Sequence, residues 1–217
     1  MELIDAVISR HSVREYLDKE IEKEKVERLQ TMIDKINAAN DLSFQLVTNE
    51  PDAFNGNSHY GRFVGVKNYV ALVGKKCKNL DEKIGYFGEH VVLFAQMLGL
   101  NTCWVALTYK KSAAKVQVKK DEKLVCVLAL GYGKDQGVPH KSKDILKVSN
   151  VSSDTPDWFE SGVKSALLAP TAINQQQFYF TYSEGEVKVK KGVGFYSKVD
   201  LGIVKYHFEI GSGVAIF

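Results

Sequence analysis

Two short stretches carry the residue types from which a binding site could be built. SRHSVREY, at positions 9–16, alternates Arg10, Ser12 and Arg14 with His11 and Val13. In an extended segment successive side chains point to opposite sides, so two guanidinium groups and a hydroxyl would share one side. Planar guanidinium forks with a neutral donor between them suit a phosphate. The same letters also fit an exposed segment in which Arg14 pairs with Glu15 or Glu20. LAPTAINQQQF, at 168–178, runs from an apolar helix into Pro170, which lacks an N–H and turns the chain. Ala169 and Ala172 leave room for a flat ligand against the backbone. Thr171, Asn174 and Gln176 can each donate and accept, as the edge of a pyrimidine-like ring requires. A helix end followed by a solvated polar loop would read the same way.

The elements that must position these residues follow from periodicity. Val26, Leu29, Met32, Ile33 and Ile36 recur at helical spacing, as do Ile84, Phe87, Val91, Phe94, Ala95 and Leu98. Asp81 and Glu82 fall in the first turn of that second helix, with Gly99 as its stop. Strands are expected at 44–48, 68–74, 102–107 and 123–133, followed by a lysine-rich linker over 134–150. Thr155 as N-cap and Pro156 at the first helical position predict a third helix, burying Trp158, Phe159, Val163, Ala166 and Leu167. A hairpin at 178–190 turning on Gly185 and a last helix from Asp200 complete the chain.

The chain also resembles itself. At an offset of 134, Leu29 meets Val163, Ile33 meets Leu167, Asn40 meets Asn174 and Phe44 meets Phe178; at 117, Gly85 meets Gly202 and His90 meets His207. Both halves read helix, strand, strand, helix, which argues for a duplication. Residues 1–150 and 151–217 are the expected halves. Only the first carries SRHSVREY and only the second carries APTAINQQQ, so a pseudo-symmetric pair would supply one wall each of a shared pocket.

Composition narrows the function classes. With 217 residues, 45% hydrophobic and 25% charged, the chain can bury a substantial core. The net charge of +3 is spread along the sequence, without the clustered basic face or stacking platform of a nucleic-acid module. Three cysteines, Cys77, Cys103 and Cys126, lie far apart, and the histidines show no ligand spacing, so no metal is expected. Unpaired thiols fit a reducing compartment, no signal peptide is visible, and no apolar run is long enough to span a bilayer. A cytoplasmic protein without membrane partners is the expectation.

Taken together, RHSVREY, GLNTCWVAL (99–107) and APTAINQQQF resemble the motifs of the nitroreductase family of FMN-dependent oxidoreductases, in a divergent branch of nitroreductases with A-P-T-A-x-N-Q-Q in the C-terminal half. The resemblance implies an α+β fold, a mostly antiparallel sheet flanked by helices. It also implies an intrachain pseudo-dimer, because the family's A-P motif is missing from its usual place at 37–45. A monomer is then expected, with a homodimer as the other possibility. Carried over by motif, Arg10 and Ser12 would hold the FMN phosphate and ribityl chain, with His11 between them, and Arg14 the flavin N1–C2=O edge. Pro170, Thr171, Ala172, Asn174 and Gln176 would contact the ring from the opposite side. Val105, Ala106 and Leu107 would pass beside it, and Lys141 and Lys143 would lie near the phosphate. The glycine- and asparagine-rich tract 54–68 would form the substrate side, with Asn55, Asn57 and Arg62. No side-chain acid or base is implied. NADH or NADPH would reduce the flavin, which would reduce a nitroaromatic, a quinone or another flavin; the alternative is a flavin-binding protein without turnover.

Overall fold

The computed structural model describes residues 1–55 and 63–217. Asn57 and Arg62 lie outside the described residues. The chain forms two units. One comprises Met1–Ser9, Asp81–His90 and Pro139–Phe217; the other comprises Arg10–Leu80 and Val91–Val138.

In the unit built on Arg10–Leu80 and Val91–Val138, four strands pair in the order β1-β2-β4-β3: β1 (Gln45–Val47), β2 (Asn68–Lys75), β3 (Asn101–Val105) and β4 (Glu122–Gly131). Every pairing is antiparallel, with Val70 opposite Leu128 and Cys103 opposite Ala129. Seven of the eight β2 residues are buried, with no polar alternation, as expected for a strand covered on both faces. Tyr69, Ala71 and Val73 point into a cluster with Val13, Tyr16, Phe54, Cys103 and Val127, so Val70 and Leu72 face the other side. Helix α2 (Lys23–Asn40) packs on β1 and buries Leu29, Ile33 and Ile36. Helix α3 (Leu80–Met97) ends in a Schellman motif. Gly99 adopts φ +74°, its N–H donates to the Gln96 carbonyl, and the Leu100 N–H donates to that of Ala95, both at 2.9 Å.

The other unit contains α1 (Leu3–Ser9), α4 (Asp157–Ala166), the β5 (Phe178–Ser183)–β6 (Glu186–Lys191) hairpin, α5 (Ser197–Ser212) and the Asp81–His90 stretch of α3. The hairpin turns on Glu184 and Gly185, both at positive φ, the backbone that a two-residue type I′ loop demands. Phe159, Phe180 and Phe208 form its buried aromatic centre, the last two stacked 4.8 Å apart. Two glycines set the α3–α5 crossing. A Cβ on Gly85 would lie 1.9 Å from the Val199 carbonyl oxygen, and one on Gly202 would lie 2.0 Å from that of Glu82. At the offset of 117 found in the sequence, each pair maps onto the other. Beyond them Glu89, fully buried, meets His207 Nε2 at 2.8 Å, and His90 stacks on Tyr206 with 3.6 Å between ring centres. Burial presses His90 towards its neutral form, down to about 4.

Several sequence expectations are corrected. Helix α1 carries no clear apolar stripe and was not foreseen. Pro156, not Thr155, occupies the N-cap of α4, and the Thr155 hydroxyl donates to the Ser152 carbonyl instead. Strand β3 stops at Val105, so Ala106 and Leu107 lie beyond it, and α5 begins three residues before Asp200. The stretch 134–150 is no free linker. Ser149 pairs with Phe180 in parallel, and the Phe180 N–H reaches the Val148 carbonyl at 2.8 Å.

Candidate functional site

The predicted site residues fall into two groups, one in each unit. The first group begins at the end of α1, where the chain becomes extended. Ser12 pairs in parallel with Thr102 of β3, the Val13 N–H donates to the Thr102 carbonyl at 3.1 Å, and Tyr16 bridges to Gly133. This pairing anchors the segment to β3, but strict alternation is not kept: Val13 and Tyr16, three residues apart, share one core cluster, and Arg10 is buried where Arg14 is exposed. Val13 and Tyr16 turn into the core, the Tyr16 hydroxyl donating to the Val13 carbonyl at 2.9 Å. Burial, above all, pushes that phenol well above its ordinary pKa.

Arg10, Ser12 and Arg14 all act on one atom, the Cys103 sulfur. Burial raises the thiol pKa; the Arg14 charge, a hydrogen bond with Ser12 and the Arg10 charge each oppose that rise. The Arg10 and Arg14 charges and the Ser12 hydroxyl therefore lie within electrostatic reach of Cys103 in β3, with Arg10 buried and Arg14 exposed. Glu15, a possible partner of Arg14, instead pairs with Lys134 at 3.2 Å. Such a donor set suits an anion with several oxygens. Cys103 stays a protonated structural thiol. His11 packs its Cβ near Gly137, whose φ of +71° excludes a side chain there. Val105 is buried, Ala106 half-buried, and Leu107 exposed. Asn55 is exposed at the end of a turn.

The second group is built on a strained loop. After α4 the chain passes Pro170 and Thr171 into a single 3₁₀ turn, Ala172–Asn174. Ile173, Asn174 and Gln176 adopt φ of 47°, 55° and 46°. A β-branched residue in that region is a true outlier, and each such residue costs on the order of 1–3 kcal/mol unless its surroundings enforce it. The enforcement is visible. Gln176, buried, donates to the Lys141 carbonyl and to Asn174 Oδ1 and accepts from the Lys143 N–H, while its own N–H donates to the Thr171 hydroxyl. Asn174 donates to the same Lys141 carbonyl, and the Lys143 ammonium caps the carbonyls of Gln175 and Gln176 at 2.7 and 3.0 Å. Lys141, Lys143, Thr171, Asn174 and Gln176 are thus one hydrogen-bonded network. The Gln176 amide is turned inward, so its contribution is the loop's shape.

Sequence reasoning missed Asp200, Gln175 and Cys103. Asp200 accepts from the Ala172 N–H at 3.0 Å and from Gln175 Nε2 at 2.6 Å. Its signal was present: 200, 203, 204 and 207 fall on the buried stripe of α5, where a carboxylate is out of place. Burial raises its pKa to about 6. Cys103 reads as an ordinary strand residue, and nothing in the letters marks it. Among the described residues, no helix is long and apolar enough to cross a membrane, and no cluster of His, Cys, Asp or Glu could hold a metal ion.

Comparison with known proteins places this architecture. The chain is similar over 97% of its length, and 83% of the other's, to a nitroreductase of Thermotoga maritima MSB8 (TM-score 0.68, 23% identity). It also resembles, over 72% of its length and 99% of the other's, a Desulfovibrio desulfuricans nitroreductase determined with FMN (TM-score 0.56, 17% identity). An FMN-dependent nitroreductase of Clostridium difficile R20291 matches over 70% of this chain and 99% of its own (TM-score 0.51, 19% identity). At these identities the structures establish a common fold. No curated protein matches the chain. The family model described as "Putative TM nitroreductase" matches residues 2–212, so with its antiparallel sheet and five helices the chain belongs to that nitroreductase family.

Proposed function

We propose that this chain is an FMN-dependent oxidoreductase that takes reducing equivalents from NADH or NADPH and delivers them to a small, flat, electron-poor acceptor such as a nitroaromatic, a quinone or a flavin. Membership of the nitroreductase family supports the reaction class. The observation that carries the cofactor assignment is that the charges of Arg10 and Arg14 and the hydroxyl of Ser12 all bear on Cys103 of β3, with Ser12 paired to the adjacent Thr102. In this reading Arg10 and Ser12 hold the phosphate and ribityl end, with His11 beside them and Lys141 and Lys143 adding positive charge. Pro170, Thr171, Ala172 and Asn174 contact the ring edge, Gln176 fixes their loop, and the backbone of Val105, Ala106 and Leu107 passes alongside.

When bound, the flavin supplies hydride acceptance and release. The protein supplies orientation and charge. Arg14, a fixed cation near the N1–C2=O edge, stabilises negative charge that develops on reduction and so raises the potential. In this reading no side-chain acid or base is required, because exchange with solvent delivers the proton.

We further propose that the chain is a fused, diverged dimer with one cofactor site, acting as a monomer in the cytoplasm. The reciprocal Gly85–Val199 and Gly202–Glu82 approaches support this, because an isologous contact repeats in that way. So does the match of ordinary nitroreductase chains, nearly whole, to only about 70% of this one.

The enzyme reading is tested by adding NADH or NADPH to the flavin-loaded protein and then a quinone. The 450 nm band should bleach and return. The lack of any acidic side chain or glycine at 105–107 is what favours the second reading, a flavin binder without turnover; flavin that stays oxidised would favour that reading.

A further inference from the structure

The loop that carries Thr171–Gln176 would not hold its left-handed residues without an anchor, and the buried anchor is Asp200 in the first turn of α5. One carboxylate oxygen takes the Ala172 N–H and the other takes the Gln175 amide. Gln175 Nε2 also donates to the Phe195 carbonyl at 2.6 Å, tying in the neighbouring GVGFY loop at 192–196. There Gly194 approaches so closely that a Cβ would lie 2.1 Å from Gln175 Oε1. Val193 and Phe195 stand out from that loop into solvent, as Ile173 does from the first. Both loops are therefore tied to α5 through one carboxylate–amide pair, which adds to the Gln176 and Lys143 bonds inside the first loop.

We propose that Asp200 is a positioning residue for ligand binding: acting through Gln175 and the Ala172 N–H, its carboxylate holds the 171–177 and 192–196 loops in their binding geometry. The inference rests on the flavin reading for the identity of the ligand. The carboxylate form is the one that works. A neutral acid keeps one acceptor for Ala172 but presents an O–H to the Gln175 N–H, so the amide must turn and release Phe195.

The sign for the fold is opposite to the sign for the loop. Burial raises the Asp200 pKa, so its stabilising contribution to folding is complete in the acid form and is lost as pH rises through about 6. Binding geometry is gained over the same interval. Among the described residues, burial and the bonds to Gln175 and Ala172 are what set this titration. Lys143 is engaged with the carbonyls of Gln175 and Gln176, and His140 with that of Leu167. Of the elements packed on α5, α4 pairs Lys164 with Glu160 and β6 pairs Lys188 with Glu186. Asp5 of α1 accepts the Glu2 N–H, Lys205 of α5 itself reaches Glu82 of α3, and His207 reaches Glu89.

The test is FMN affinity of the full chain from pH 5 to 8, read by flavin fluorescence, for the parent, Asp200→Asn and Gln175→Met. The phosphate of FMN titrates in the same range, but it does so for every protein and cancels in the ratio of dissociation constants. Asp200→Asn should bind about tenfold more weakly than the parent at pH 7.5, the loss of one charge-assisted hydrogen bond, and about equally at pH 5. Gln175→Met should show the same convergence. A ratio of one throughout, or a constant ratio without convergence, overturns the proposal. If Asp200→Asn does not fold, Gln175→Met alone decides on those terms. If the parent binds no FMN, the flavin reading fails by itself. Hydrogen exchange of the Ala172 N–H then judges Asp200: faster exchange in Asp200→Asn or Gln175→Met at pH 7.5 upholds the anchor, and unchanged exchange refutes it.

Discussion

Arg10→Ala should weaken FMN binding by roughly thirtyfold or more, about 2 kcal/mol, with the fold intact by circular dichroism. The magnitude follows from position. Arg10 is 3% exposed, so in the proposed site its guanidinium would meet the phosphate where water screens little. Its charge, like that of Arg14 and the hydroxyl of Ser12, bears on Cys103 of β3, and removing it leaves Ser12 and an exposed Arg14. Arg10→Lys should recover only part of the loss, because an ammonium keeps the charge but not the two parallel donors. An Arg10→Ala protein that retained stoichiometric flavin would contradict the assignment of the phosphate end.

Among the described glycines, Gly85→Ala should be the most destabilising single-methyl change, and Gly202→Ala its near equal. In each case the new Cβ would sit at about half the normal contact distance from a carbonyl oxygen, 1.9 Å for one and 2.0 Å for the other. Both obstacles are backbone, so relief requires the helices to part. Overpacking of this kind costs about 3 kcal/mol, which lowers Tm by roughly 10 °C in a chain of this size. The neighbouring Glu89–His207 pair adds to the loss, since a wider crossing separates two fully buried partners. Thermal denaturation of the two variants measures this. A shift of less than about 2 °C in both would mean that the crossing is not the tight contact described.

Much of the fold was legible because its signals are local or periodic. The continuous apolar run of β2, the apolar stripes of α2 and α3, the Gly99 stop and the Glu184–Gly185 turn each follow from short-range rules. The offset of 117 was legible too, and the α3–α5 crossing gives it a physical meaning. Helix α1 was not, because seven residues hold too little periodicity. The α4 start was misplaced by one residue because Pro156 and Thr155 both suit a helix entrance, and Thr155 was already committed to Ser152. The self-match at 134 hid a difference in shape: α2 continues as helix to Asn40, whereas Asn174 stands in a strained loop beyond the end of α4.

At the site, the run of Arg10, Ser12 and Arg14 was readable as a set of donors, while the strand with which Ser12 pairs lies some ninety residues away, at Thr102. The polar letters of 171–176 suggested ligand contacts, but those of Asn174 and Gln176 turn inward to build the loop itself. Asp200, which anchors that loop from α5, could be found only by asking why a carboxylate interrupts an apolar stripe.

The most direct test of the central claim is flavin content: absorbance at 450 nm of protein reconstituted with FMN and freed of excess, counted per polypeptide. One FMN per chain, in a monomer, is the expected result. No bound flavin, or two per chain, would contradict the account.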